Sequence, residues 1–382
     1  MDFDLSEDQR LLKDSVDRLV ADQYQFEQRK KYMREPAGYS AAMWDQITEM
    51  GLLGLPFEET LGGFGGGPVE TAIVMDAFGR GLVLEPYFAT VVLGGGLLRR
   101  AGSASVLGAL APKVAAGKLK LAFGHVERQS RYNLADVSTT ARKDGGNYVL
   151  DGAKSVVIHG DTADKIFVTA RLSGERRAAG GIGLFLIDPA TAGVTRRGYP
   201  TQDGQRAAEI TLTNARVSAD DLISDNALPI IDHVIDEAIA ALCAEAVGTM
   251  QSMQDLTLEY LKTRKQFGRA IGSFQVLQHR SVDMLVAVEQ ARSMALFAAV
   301  MAGEENPIER RKAIAAAKVQ IGRSAKHVGQ EAIQLHGGIG MTNEYAVGHY
   351  FKRATMIDQL YGDADTHLSY LAAHGGLFGK VA

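Results

Sequence analysis

The chain has 382 residues, of which 46 % are apolar and 23 % charged. That is an ordinary globular composition, which excludes a disordered or fibrous protein, and the length predicts two or three domains. Lys and Arg number 41 against 45 Asp and Glu, a net charge of -4, so the basic excess of a nucleic-acid binder is missing. No apolar run reaches the roughly 18–20 residues of a membrane span. The N-terminus lacks signal-peptide order, and the single cysteine, Cys243, permits no internal disulfide. The expectation is a soluble, cytoplasmic, multi-domain protein.

In chain order, Ser6-Glu-Asp-Gln9 reads as a capping box, because Ser6 can accept the free amide three residues on and Gln9 can reach back. Leu11, Leu12, Val16, Leu19 and Val20 follow at helical spacing. Further helices are predicted around 39–50, 69–78, 86–99 and 104–116, with the glycine cluster 61–68 as a loop. Near Lys120 the texture changes to short β-branched or alternating runs: 119–123, 137–142, 147–150, 156–159, 165–170, 182–187 and 209–213. Asp144-Gly-Gly-Asn147 between two of them signals a hairpin, and the spacing suggests a small barrel or sandwich. From about Leu228 four long helical segments follow, 230–261, 275–302, 307–336 and 344–373, the number needed for a bundle. The expected fold is mainly α with a β middle domain: an N-terminal helical domain (1–118), a small β-barrel (119–225) and a C-terminal four-helix bundle (226–382).

Several familiar sites fail on spacing. Leu150-Asp-Gly-Ala-Lys-Ser155 is not a P-loop, and Gly63-Phe-Gly-Gly-Gly67 is not spaced as a dinucleotide fingerprint. Nine scattered histidines and one cysteine offer no metal-ligand spacing, so no metal is expected. Three segments carry more. Arg264 to Gln275 is a polar, glycine-interrupted stretch between two long helices, either a plain loop or a ligand turn. Gln334-Leu-His-Gly-Gly-Ile-Gly340 ends a helix in open backbone amides, which suits a phosphate but equally a simple C-cap. The run 238–250 contains a single charge, Glu245. An unpaired buried carboxylate has its pKa raised toward that of a general base. A helix edge reaching water or an arginine would explain the same residue.

Together these segments resemble the acyl-CoA dehydrogenase family along the whole chain. The carriers are Leu5-Ser-Glu-Asp-Gln9, Gly152-x-Lys154 with Gly160-Asp-Thr-Ala-Asp164, Arg264-x-Gln-Phe-Gly268 with Ile271-x-x-Phe-Gln275, and Gln334-x-His-Gly-Gly-Ile-Gly340. Within the family, Gln129-Ser-Arg-Tyr132 and Leu360-Tyr-Gly-Asp363 look most like bacterial two-subunit enzymes, including pimeloyl-CoA dehydrogenase small subunits. The resemblance implies FAD between the middle and last domains, in dimers paired into homo- or heterotetramers. It gives Arg264, Phe267, Gln275, Gln334, Gly337 and Gly338 the adenosine and pyrophosphate of FAD, across a dimer interface. An arginine fork and open amides are chemically apt for a diphosphate. Strands around Val126 and Val157 are implied to face the flavin. The implied reaction is α,β-dehydrogenation of an acyl-CoA to a trans-2-enoyl-CoA, as in fatty acid β-oxidation, with electrons passed to an electron-transfer flavoprotein.

The departures from the family pattern concern the base. Where many members read Tyr-Glu-Gly-Thr, this chain reads Tyr361-Gly-Asp-Ala364, and the alternative base position on the earlier helix matches Ala238. Beside the flavin, Val126-Glu-Arg128 replaces Thr-Glu-Pro, and Val156 and Ile158 replace a common tryptophan and threonine. Glu245 lies seven residues after Ala238, and seven steps of 100° return to within about 20° of the same helix face. Glu245 is therefore the expected catalytic base, with Asp363 next. The competing expectations are an acyl-CoA oxidase, or a non-catalytic partner subunit completing the FAD site of a heteromeric dehydrogenase.

Overall fold

The computed structural model describes residues 5–377. Eleven α-helices are assigned among them: α1 (Glu7–Gln23), α2 (Phe26–Tyr32), α3 (Ala41–Glu49), α4 (Pro68–Gly81), α5 (Gly95–Ala101), α6 (Ala104–Ala115), α7 (Leu228–Thr263), α8 (Gln275–Met301), α9 (Pro307–His336), α10 (Val347–Gln359) and α11 (Ala364–Ala373). The strands are β1 (Leu121–Gly124), β2 (Thr140–Asp144), β3 (Asn147–Ile158), β4 (Lys165–Arg171), β5 (Ile182–Ile187), β6 (Val194–Pro200), β7 (Arg206–Ser218), β8 (Leu222–Ser224), β9 (Lys265–Gln266) and β10 (Arg269–Ala270). By their internal contacts the residues form two compact units. One holds 1–31, 68–83 and 239–382, the other 32–67 and 84–238.

In the first unit, the capping box at Ser6 and Gln9 starts α1 as the sequence implies. α4 passes α7 so closely that a Cβ on Gly248 would stand 1.9 Å from the Asp76 carbonyl oxygen, and one on Gly79 2.0 Å from that of Glu245. Only glycine permits that approach of two backbones. α9 packs against α8, α10 and α11. The segment expected as one helix from 344 to 373 is two, because Tyr361 and Gly362 take φ of 59° and 110° and Asp363 then caps α11. α8 corrects another expectation: it contains an 18-residue window with a mean hydropathy of 1.4, long and apolar enough to cross a membrane. Only 33 % of that window is buried.

In the second unit, the strands form one eight-stranded mixed sheet in the order β6-β7-β3-β2-β4-β5-β8, with β1 pairing in parallel to β4. The Asp144–Asn147 pair closes the expected β2–β3 hairpin. The runs at 147–150 and 156–159 are ends of the single strand β3, whose register on β7 shifts between Leu150 and Gly152 and between Lys154 and Val157. β6 escaped the sequence reading because it is a polar edge strand, arginine-rich and largely exposed. The core of this unit gathers Ile166, Val168, Phe185, Ile187, Ala208 and Ile210.

Candidate functional site

Glu245 sits in the middle of α7 with a residue exposure of 4 %. Burial was expected; the partner was not. Arg353 of α10 donates from Nε to Glu245 Oε1 at 2.5 Å and from Nη2 to Oε2 at 2.7 Å. A carboxylate gripped by both prongs of a guanidinium is held in its charged form and has both oxygens occupied. That is the reverse of a carboxyl tuned toward neutrality to take a proton, so the structure corrects the assignment of Glu245 as a free base. The pair ties α7 to α10. Asp363 is likewise engaged: its Oδ1 accepts from the Thr366 amide at 2.8 Å and the Thr366 hydroxyl at 2.6 Å. The Thr366 hydroxyl, and then the amide, holds the Asp363 carboxyl below its ordinary range.

The two glycine-bearing turns present a different chemistry. β9 and β10 pair Lys265 with Ala270 and Gln266 with Arg269, leaving Phe267 and Gly268 at the tip with φ of 54° and 80°. Two successive positive φ values define a type I′ hairpin, and a bulky aromatic at the first of them is strained. Phe267 is nevertheless 89 % exposed. The Ile271 amide donates to the Arg264 carbonyl at 2.8 Å, so the loop folds back on the end of α7. Arg264 and Gln275 are both exposed. At the end of α9, Gly337 takes φ 62° and its amide donates to the Gln334 carbonyl. A Cβ on Gly337 or Gly338 would meet nothing within 4 Å, so these backbones face open space.

Aromatic packing joins the two turns. Tyr260, four residues before Arg264, stacks on His336, two residues after Gln334, with ring centroids 4.6 Å apart, and Tyr345 lies 5.0 Å from His336. The structure thus brings Arg264, Phe267, Gln275, Gln334, Gly337 and Gly338 to neighbouring ends of α7 and α9. An exposed guanidinium, open glycine backbone and an exposed ring at a strained tip form a donor set that fits a diphosphate and an aromatic group.

In the sheet unit the site-bearing strand turns out one residue away from the expectation. The bulge in β3 sends Lys154 and Val157 both inward, at 0 % and 1 % exposure, and leaves Val156 40 % exposed at φ 52°. A β-branched residue in that conformation is a genuine outlier of the kind found at ligand sites. Val157 is therefore corrected: its side chain belongs to the β core and faces no ligand. Val126 is half-buried, and its carbonyl accepts from the Ser155 amide at 2.8 Å, which places it beside the bulge. Below them Lys154 Nζ donates to Glu127 Oε1 at 2.6 Å and to Thr169 Oγ1 at 2.9 Å. The Ser138 and Thr139 amides also donate to the Glu127 carboxylate, at 2.9 and 3.0 Å. Burial pushes Lys154 down to about 8 in spite of the attraction of Glu127. For Glu127 burial works upward, but the Lys154 charge and the hydrogen bonds outweigh it and hold the carboxyl below its ordinary range. This satisfied pair stiffens the strands that carry Val126 and Val156. No sequence signal distinguished Val156 from Val157, because a bulge shifts the alternation without altering composition.

Family models decide what these features belong to. Residues 6–118 match the acyl-CoA dehydrogenase N-terminal domain, 122–215 its middle domain and 229–375 its C-terminal domain. The chain belongs to the acyl-CoA dehydrogenase family. Among relatives, the acyl-CoA dehydrogenase IpdE2 of Mycolicibacterium smegmatis is 30 % identical over 97 % of this chain and 99 % of its own length. The solved FAD complex of PigA is 26 % identical with a TM-score of 0.89, covering 99 % of this chain and 100 % of that one. A solved steroid dehydrogenase of this family, Tcur3481-Tcur3483, is 27 % identical with a TM-score of 0.85, covering 96 % and 97 %. Acyl-CoA dehydrogenases are oxidoreductases acting on acyl-CoA, and FAD is the flavin of the family.

Proposed function

We propose that this chain is an FAD-contacting subunit of an oligomeric acyl-CoA dehydrogenase that converts an acyl-CoA thioester to its trans-2-enoyl-CoA. In this reading the α-proton is taken by a base on a sister chain, and the electrons leave to an electron-transfer flavoprotein. The Glu245–Arg353 pair carries the reading: the one carboxylate that could replace the missing base is committed to a guanidinium. The two positions that match known bases hold Ala238 and Gly362, neither of which can accept a proton.

FAD, when bound, supplies the hydride acceptor. The chain's own residues do the holding: Arg264 offers its fork to diphosphate charge, Gly337 and Gly338 offer open backbone, and Phe267 offers a flat apolar surface. The sheet unit contributes the half-buried Val126 and the outward Val156 as apolar surface on a rigid base. An oligomer is supported by α8, where Val282, Leu285 and Val286 are each 43–56 % exposed at helical spacing. An apolar stripe of that kind usually marks a protein contact. The two-chain name of the Tcur3481-Tcur3483 relative supports a sister subunit.

The test is anaerobic titration with a panel of acyl-CoA thioesters, following the flavin spectrum. The isolated chain is expected to keep its flavin oxidised, while its complex with a sister subunit carrying the Tyr-Glu-Gly turn bleaches. Bleaching by the isolated chain that disappears in a folded Glu245→Gln variant would return the base to Glu245 and refute the proposal.

A further inference from the structure

The turn between α10 and α11, where the resemblance places a base in other members, is more than a glycine in place of a glutamate. Gly362 has φ 110°, a conformation L side chains rarely adopt, and a Cβ built there would stand 2.8 Å from His367 Nε2 and 3.1 Å from His367 Cδ2. His367 is 3 % exposed, so its ring has little room to move aside. Its Nε2 lies 3.1 Å from the Tyr361 carbonyl oxygen. A carbonyl only accepts, so the ring donates from Nε2 and is fixed edge-on to the turn. Tyr361 itself holds φ 59°, a strained posture that persists only where its surroundings enforce it.

We propose that His367 closes the seat at position 362: its imidazole fills the space a side chain there would need and pins the turn by the Tyr361 carbonyl, so this subunit's own site stays shut to a base. Loss of the carboxylate and filling of its place are then two separate devices. His367 does not take over as base. Burial, together with the Arg311 and Lys318 charges, pushes it down to about 3, a weaker proton acceptor than the glutamate it displaces.

The inference rests on the base-lacking reading above and is tested apart from it. The chain is assembled with a sister subunit whose own base is changed to glutamine, and acyl-CoA bleaching is compared in Gly362→Glu and in Gly362→Glu with His367→Ala. Bleaching at least about 10-fold faster in the double variant is expected. Equal rates, or no bleaching in either, overturn the role of His367. A thermal cycle with Gly362→Ala serves if glutamate prevents folding. The loss of Tm from Gly362→Ala is expected to shrink by about a third or more in the His367→Ala background, and an unchanged loss refutes the contact. Bleaching by the unsubstituted chain in the same assembly would sink the base-lacking reading alone, since the thermal cycle does not depend on it.

Discussion

Replacing Glu245 with glutamine separates an anchor from a base. The wild-type carboxylate meets Arg353 through two charge-assisted hydrogen bonds of 2.5 and 2.7 Å, with side-chain exposures of 5 % and 9 % for the two partners. Glutamine preserves the shape but leaves the guanidinium buried without its counter-charge, which costs about 3–5 kcal/mol in comparable sites. At roughly 2–4 °C per kcal/mol for a cooperative unit near 200 residues, the expected loss of Tm is about 10 °C. The assay is thermal and urea unfolding of Glu245→Gln, Arg353→Met and the pair. The double-mutant cycle is expected to return a coupling above about 2 kcal/mol. In the assembled enzyme, measured well below its Tm, the same Glu245→Gln change is expected to leave flavin bleaching within about two-fold of wild type. A coupling under about 0.5 kcal/mol, or a stable variant that has lost bleaching, would refute the anchor and restore the base.

Gly248→Ala drives a methyl to 1.9 Å from the Asp76 carbonyl oxygen, and a loss of about 3 kcal/mol or more is expected in urea unfolding. Phe267→Gly relieves a positive φ of 54°, so the apoprotein is expected to gain about 0.5–1 kcal/mol. The same change is expected to weaken flavin retention about 10-fold in fluorescence titration, through loss of the exposed ring. Asp363→Ala removes the α11 cap and is expected to cost about 1 kcal/mol with bleaching in the complex unaffected. The folded state holds Glu127 below its ordinary 4.5, so the folded protein binds the proton less readily than the unfolded chain. Its contribution is complete above about 4.5 and falls away as pH drops; Glu127→Gln is expected to flatten that acid limb of the Tm–pH curve.

The order helical, then β, then helical was legible because it depends on residues a few positions apart. The Ser6–Gln9 capping box, the Asp144–Asn147 hairpin and the glycine turns after Arg264 and Gln334 are all local. So was the absence of a base at Ala238 and Gly362, which needs only the residue type. Burial of Glu245 could be expected from its apolar neighbours in α7. Its partner could not, because Arg353 lies 108 residues away on α10 and nothing around either residue marks the other. The same holds for the seat at Gly362, which is closed by a histidine whose orientation follows from the packing of α11, and for Val156, which faces outward only because β3 carries a bulge. Backbone periodicity is written within a turn or two of chain, so the sequence by itself determined the elements and the kind of groups available. Whether a buried carboxylate is a base or an anchor depends on which distant charge the fold sets against it, and only the tertiary structure decided that.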